Sequence, residues 1–431
     1  MIDSDFLNIN VVFLGDHAVG KSTLVGNLLY QYKGLPQDVH EKLKEKLGDD
    51  YEEDRRYALT MDEEEEEIKL KRTVNTNYKV VSIDFFNYVL IDTPGHKDHS
   101  VNMIGEVSKG DVAVIVVPSN LAEFKKSFND YVIQRYFFLA LAMTINKFIV
   151  VVNYRDTNYN NMDVLCFSMI KKIITRWVEE NLPSVGKIPF IPLNALKDSD
   201  FFKVDPVFEP FVQTSFNQEL GMIQQPRRVA KGATRIPISK VIEKNDEGVV
   251  FEGSIEYGRI EPGDELHFAV GDFTGKIVKL TQFGTPMKFA EAGHYVTITA
   301  EGIDIDKLKR GQMVSVAKKE QAQVSKGFEG RVVIVKSDKG IREGETVDIH
   351  FNTACIPCKI EKVQEKLVSL DNPKIKRRKV YLKTGESAIV NIVPSKDLVV
   401  ERYADFPSCG TFAICQKNEL VALGVVRKVD N

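Results

Sequence analysis

Residues Gly15-Asp16-His17-Ala18-Val19-Gly20-Lys21-Ser22, followed by Thr23, fit the pattern G-x-x-x-x-G-K-[ST]. The chemistry of that pattern is phosphate recognition. Its glycines let successive backbone N–H groups turn inward around phosphate oxygens. Lys21 supplies a point charge between a β- and a γ-phosphate, Ser22 a hydroxyl for Mg2+, and the helix that must follow adds the partial positive charge of its N-terminus. A second cluster, Asp92-Thr93-Pro94-Gly95-His96, closes an apolar run. An Asp there can hold Mg2+ directly or through water, and Gly95 lets its backbone approach a γ-phosphate. The third, Asn153-Tyr154-Arg155-Asp156, follows the run Phe148–Val152. A carboxylate at Asp156 can accept two N–H groups that guanine has and adenine lacks. The order and separations of the three are those of GTPases rather than ATPases, so GTP or GDP with Mg2+ is the expected ligand set.

These residues need elements to hold them. Short β-branched runs at Ile9–Leu14, Tyr78–Ile83, Tyr88–Ile91, Val112–Val117, Phe148–Val152 and Ile188–Ile191 predict strands. Between the later runs lie helical patterns; Phe167, Ile170, Ile174 and Trp177 share one face, which places the single tryptophan in a core. Strands alternating with helices predict a mostly parallel sheet whose ligand lies at the strands' carboxyl ends. After about Met222 the texture changes. Gln224–Thr234 reads as a linker, helical periodicity fades, and turn clusters at 245–248, 261–264 and 337–340 punctuate short alternating strands. The fold class predicted is an α/β P-loop GTPase domain followed by two antiparallel β-barrels, with boundaries at 1–222, 235–318 and 322–431.

Composition narrows the classes. With 431 residues, 43% apolar and 28% charged, the chain has room for several cores. The net charge of −3 excludes a global field for nucleic acid, although the part from Gln321 onward holds 19 Lys and Arg against 14 Asp and Glu. Its cluster Lys374-Ile-Lys-Arg-Arg-Lys379 suits either RNA phosphate or solvent. The run Asp62–Glu67 reads first as a solvated acidic face. Five cysteines fit a reduced compartment better than a disulfide scaffold, and Cys355-Ile-Pro-Cys358 lacks the further ligands of a zinc site. No apolar run approaches membrane length and no basic leader precedes one, so a cytoplasmic protein without a membrane partner is expected.

Asp92-Thr-Pro-Gly-His96, continuing as Lys-Asp-His-Ser-Val-Asn-Met-Ile104, resembles the second switch of translational GTPases. Gly258-Arg-Ile-Glu-Pro-Gly-Asp264 is similar to the first-barrel signature of that group. Thr353–Lys359, Ser387–Val390 with Val393-Pro394, and Asp405-Phe-Pro407 are similar to the second barrel of the elongation factor 1-alpha family. The resemblance spans nearly the whole chain. It implies that His96 positions the attacking water, that Thr73 joins Ser22 and Asp92 on Mg2+ as the first-switch threonine, and that Asn194-Ala195-Leu196 lies against the base. It implies a ribosome (its large-subunit RNA) and a tRNA or tRNA-mimicking protein as partners, with a nucleotide exchange factor possible, and a monomer. Departures are Ala18 for an acidic loop residue, Tyr154 for a lysine over the base, where an aromatic ring could stack instead, Leu70-Lys-Arg72 before the threonine, and Val132–Tyr136 for a Gln-Thr-Arg-Glu-His stretch. They leave a nucleotide-bound module without turnover as an alternative. So does a rescue- or release-factor GTPase carrying a Pelota-like or release-factor protein, because Gln282-Phe283 stands where the family has a histidine pair and 285–305 is closest to the rescue branch.

Overall fold

The apolar runs of the first half become a six-stranded sheet in this computed structural model, which describes residues 7–35, 38–48, 51–52, 55–61, 67, 76–83, 86–95, 100–155, 160–224, 226–336, 340–367, 381–417 and 419–430. The strands are β1 (Leu7–Leu14), β2 (Asn77–Ile83), β3 (Phe86–Asp92), β4 (Val112–Pro118), β5 (Lys147–Asn153) and β6 (Phe190–Leu193). They lie in the order β2-β3-β1-β4-β5-β6. β2 runs antiparallel to β3, and every other neighbouring pair is parallel. Six consecutive residues of β4 are buried, as a strand covered on both faces requires, which is why these runs are continuous rather than alternating.

The helices of this part are α1 (Lys21–Gln31), α2 (Val39–Leu47), α3 (Arg56–Leu59), α4 (Ser100–Val107), α5 (Leu121–Asn129), α6 (Val132–Ala142), α7 (Asn161–Asn181) and α8 (Phe216–Gly221). Side-chain caps start several of them. Asn120 accepts from the N–H groups of Ala122 and Glu123 at α5, and Asn160 with Asp163 forms a reciprocal capping box at α7. Phe167, Ile170 and Ile174 of α7 are fully buried. Trp177 is half-buried, and Phe128, Phe137 and Phe138 surround its ring at 5.4–6.4 Å between centroids.

Two expectations are corrected here. The last strand begins at Phe190, not Ile188, and runs on through Pro192. β6 is an edge strand, and proline is tolerated at an edge because its missing N–H faces no neighbour. Glu67, the last residue of the acidic run read as solvated, is fully buried, and 62–66 lie outside the described residues.

The chain divides into two compact units, residues 1–103, 110–140 and 145–226 forming one and residues 104–109, 141–144 and 227–431 the other. In the second unit, strands Glu265–Phe268, Met313–Val316, Ile236–Asn245, Gly248–Ser254, Tyr295–Glu301 and Phe273–Gln282 pair in sequence, and the last returns to the first. Ile236, Ile238, Phe251, Leu266, Phe268 and Ile298 fill this ring. Asn245 closes one hairpin by accepting from the N–H groups of Glu247 and Gly248. A second closed barrel joins strands Gly327–Ile334, Ser387–Pro394, Ala354–Leu367, Thr346–Phe351, Thr411–Gln416 and Glu419–Asp430 around Phe328, Phe351 and Phe412. Cys355 is exposed and Cys358 buried, as residues three apart on a strand must be. Cys166 sits half-buried on α7 and Cys409 in a loop. Among the described residues no helix is long and apolar enough to cross a membrane, and no group of three or more His, Cys, Asp or Glu is arranged as a metal cluster.

Candidate nucleotide site

Phe13 stands opposite Asp92 in the β1–β3 register and Pro118 opposite Asn153 in that of β4–β5, so the three motifs emerge along one edge of the sheet. The loop Gly15–Gly20 connects β1 to α1. Gly20 has φ 92, and a Cβ there would meet Asn153 Nδ2 at 2.3 Å. Gly95 is restricted differently: its Cβ would meet Lys21 Nζ at 2.5 Å and the Asp16 carbonyl at 2.7 Å. Only glycine allows either approach. Ala18, in the same loop, adopts φ 58, a left-handed conformation that costs a residue with a Cβ. His17 is exposed and its N–H donates to Asp16 Oδ1, while Val19 offers its carbonyl to the guanine-side motif described below.

Lys21 is buried and its ammonium donates to the carbonyls of Gly15 and Asp16, each at 3.0 Å. Burial lowers its pKa, with the charges of Asp92 and Asp16 pulling the other way. Asp92 is fully buried at the end of β3, and neither of its carboxylate oxygens accepts a hydrogen bond of good geometry. Desolvation raises its pKa to about 6 against the pull of Lys21 and the Ser22 hydroxyl; buried Glu67 adds to the rise. Buried Asp92 and part-buried Asp16 thus both act on Lys21, and Glu67 acts on Asp92. An orphaned carboxylate beside a hydroxyl is the hard-oxygen donor set that a small divalent cation takes. Thr93 donates from Oγ1 to the Phe13 carbonyl at 2.6 Å and fixes the turn after Asp92.

On the guanine side, Asn153 Nδ2 donates to the Val19 carbonyl at 2.9 Å and its Oδ1 accepts from the Ala195 N–H at 3.0 Å. One amide therefore ties the phosphate loop to the 194–196 loop. Asn194 is buried, donates from its side chain to the Arg155 carbonyl and from its backbone N–H to Asp200 Oδ2, and accepts from the Leu196 N–H. Asn27 of α1 holds the Ala195 carbonyl. Tyr154 does not offer a face for stacking: its side chain is 3% exposed, packs on Phe208 and donates from its hydroxyl to the Asp163 carbonyl. The structure thus brings together Gly15–Ser22, Asp92, Gly95, Asn153 and Asn194–Leu196. Thr23 lies in the first turn of α1. His96, Thr73 and Asp156 lie outside the described residues.

Residues that motif reading did not single out also reach the loop. Tyr136 of α6 donates from its hydroxyl to the Gly15 carbonyl at 3.0 Å, and Ser127 of α5 donates to Asp16 Oδ2 at 2.8 Å. Tyr136 stands in the stretch where the family pattern is broken, and that departure was the signal.

A parallel sheet with a glycine-hinged loop, a buried lysine and a carboxylate at its carboxyl edge defines a P-loop nucleotide-binding protein. Residues 7–224, just over half of the chain, match the family described as elongation factor Tu GTP binding domain, and residues 327–427 match the GTP-eEF1A C-terminal domain-like family. The chain belongs to the elongation factor Tu GTP-binding family and is a translational GTPase of the elongation factor 1-alpha type. It is similar to elongation factor 1-alpha of Aeropyrum pernix, 28% identical with 98% of this chain and 97% of that one covered. Elongation factor 1-alpha of Picrophilus torridus is 29% identical over 97% of both. In fold it is similar to the Saccharomyces cerevisiae Ski7 GTPase-like domain bound to GTP, with TM-score 0.76, 17% identity and 99% of each chain covered. It is also similar to translation elongation factor SelB of Methanococcus maripaludis in complex with a GTP analogue, with TM-score 0.64, 17% identity, 98% of this chain and 80% of that one.

Proposed function

We propose that the chain is a GTP-driven delivery factor that carries a tRNA or a tRNA-like protein to the ribosomal A site of the cytoplasm as a monomer. The observation that carries the reading is the buried Lys21–Asp92 pair at the mouth of the loop, a lysine and an orphaned acid held within a water-poor site. With nucleotide bound, Lys21 would turn from the loop carbonyls to the phosphates. Ser22 and Asp92, with Thr73, would hold Mg2+, which would supply positive charge to those phosphates. Asn153 keeps the loop and residues 194–196 in register so that Asp156 reads the guanine edge. His96 orients the attacking water once ribosomal RNA reorganises the second switch, and loss of the γ-phosphate releases both switches. The nucleotide state is then the variable that an exchange factor would reset.

The test is His96→Ala in the full chain, with single-turnover GTP cleavage measured with and without ribosomes. Binding near normal with ribosome-stimulated cleavage abolished is expected; an unchanged cleavage rate refutes the role.

A protein cargo is favoured over aminoacyl-tRNA by one feature. Gln282 is buried with no partner for its Nε2, and Phe283 follows at φ 47, where the family carries a histidine pair. Pull-down with a GTP analogue decides it, because retention of aminoacyl-tRNA eliminates the protein-cargo reading.

A further inference from the structure

The phosphate loop is held from behind as well as from within. The Gly15 carbonyl, buried at the end of β1, receives two donors, Lys21 Nζ at 3.0 Å and the Tyr136 hydroxyl at 3.0 Å. One residue on, Asp16 uses both carboxylate oxygens: Oδ1 accepts from the His17 N–H and Oδ2 from Ser127 Oγ, each at 2.8 Å. Both hydroxyls come from more than 100 residues away, on consecutive helices, and Tyr136 is 1% exposed. Burial pushes the Tyr136 phenol up to about 12, so it remains a donor across the physiological range.

We propose that Tyr136 and Ser127 are positioning residues, two hydroxyls that hold the Gly15–Asp16 turn in its cradle shape when Lys21 leaves it for the phosphates. This rests on the reading of the loop as the guanine-nucleotide site. With the loop empty, Lys21 and Tyr136 share the Gly15 carbonyl. When nucleotide binds, the ammonium turns to the phosphates and Tyr136 becomes the remaining donor of the pair. Removing its hydroxyl therefore leaves a buried acceptor unpaired mainly in the bound state, and an interaction needed more in one state than the other changes the equilibrium between them. Ser127 acts on the part-buried Asp16, where solvent can substitute, so its effect is smaller.

The experiment titrates GDP, GTP and ADP calorimetrically onto nucleotide-cleared full-length Tyr136→Phe and Ser127→Ala, and melts each nucleotide-free protein. Tyr136→Phe is expected to bind GDP and GTP about tenfold more weakly, and Ser127→Ala about threefold. The nucleotide-free melting temperature and the preference for guanine over adenine should stay those of the wild type. A merely structural hydroxyl would give the opposite split, with lower melting of the free protein and unchanged affinity, and that result overturns the proposal. So does wild-type affinity in Tyr136→Phe. Should Tyr136→Phe not fold, wild-type affinity in Ser127→Ala overturns it alone. Wild-type protein that takes up no guanine nucleotide overturns the functional reading itself, and the anchor with it.

Discussion

Two regions bury charge, and they do so in opposite ways. Among the barrels, Arg235 is 1% exposed and each of its three guanidinium nitrogens donates a hydrogen bond. Nε meets Glu401, Nη2 meets Glu320 Oε1 at 3.2 Å, Nη1 donates to the carbonyls of Thr234 and Glu320, and the Phe406 ring lies 4.3 Å away. At the phosphate loop, Lys21 takes two backbone carbonyls as provisional partners, and the Asp92 carboxylate, with the Ser22 hydroxyl beside it, accepts no hydrogen bond of good geometry. A buried charge is tolerable only when paired and hydrogen-bonded. The barrels meet that condition from their own side chains. The loop leaves it for a ligand to meet, so the difference separates architecture from function without reference to any motif.

Lys21→Met should break the loop half of this contrast. Truncating one partner of a buried charge pair costs roughly 2–5 kcal/mol of binding, that is about 30- to 5,000-fold in affinity. Calorimetric titration of GDP checks it. The nucleotide-free protein should change little in stability, because Asp92, whose pKa is already about 6 with Lys21 beside it, takes up a proton when that charge is removed; marked destabilisation would show that Lys21 is architecture after all. The mirror experiment is Arg235→Ala. It leaves Glu401, whose side chain is 14% exposed, without its cation, and should destabilise the barrels by about 3–5 kcal/mol while GDP affinity holds. The single tryptophan, Trp177, belongs to the nucleotide unit, so its fluorescence follows that unit. Hydrogen exchange on strands such as Gly327–Ile334 follows the barrels.

The loop was legible because its chemistry is contiguous. Eight adjacent residues fix the glycines, Lys21 and Ser22, and the strand before them carries the buried apolar side chains Ile9, Val11, Val12, Phe13 and Leu14. Tyr136 and Ser127 were not legible, because their contacts to Gly15 and Asp16 close only when β1, α5 and α6 pack together, and no local spacing encodes that. Tyr154 shows the same limit from the other side. Its position in the guanine motif suggested a ring over the base, but Phe208, 54 residues later, provides an apolar neighbour that draws it inward. The buried Glu67 hid inside an acidic run, since composition marks charge and not which charge faces inward. The hairpin at 245–248 is legible in its Asn-Asp-Glu-Gly turn, which acts locally, whereas the strands flanking 261–264 pair elsewhere and 337–339 lie outside the described residues.

Titration sharpens the comparison because the two regions carry slopes of opposite sign. His350 of the second barrel is buried, with Cys355 Sγ 3.4 Å from its Nε2, and desolvation aided by the Arg310 charge lowers its pKa to about 4. An unfolded histidine titrates near 6.5. Between those values the unfolded chain binds the extra proton, so barrel stability is present above pH 6.5 and falls by up to about 3 kcal/mol as pH drops through 4. His350→Gln should flatten that loss. Asp92 behaves in reverse: its folded pKa of about 6 lies above that of an unfolded carboxyl, so the nucleotide-free unit should become less stable as pH rises from about 4 to 6. Denaturation at several pH values, read by hydrogen exchange for the barrel and Trp177 fluorescence for the sheet, checks both. Parallel slopes would mean that the charges of the two regions are managed alike.

The smallest effect concerns backbone rather than charge. Ala18 holds φ 58 inside the loop, a conformation that costs a Cβ-bearing residue about 1–2 kcal/mol and glycine little. Ala18→Gly relieves that strain but loosens the unfolded chain, which returns part of the gain, so a net stabilisation of about 0.5–1 kcal/mol is expected in the nucleotide-free protein. Residues Gly15, Gly20 and Gly95 already spend their freedom on close approach, whereas Ala18 shows that one loop position keeps its left-handed turn at a cost. If the turn is imposed by the anchors at Gly15 and Asp16, Ala18→Gly should raise the thermal midpoint of Trp177 fluorescence in the free protein and leave GDP affinity within about twofold. A lowered midpoint would mean that the methyl group packs favourably in the empty loop and that the strain is compensated locally rather than held by the neighbouring helices.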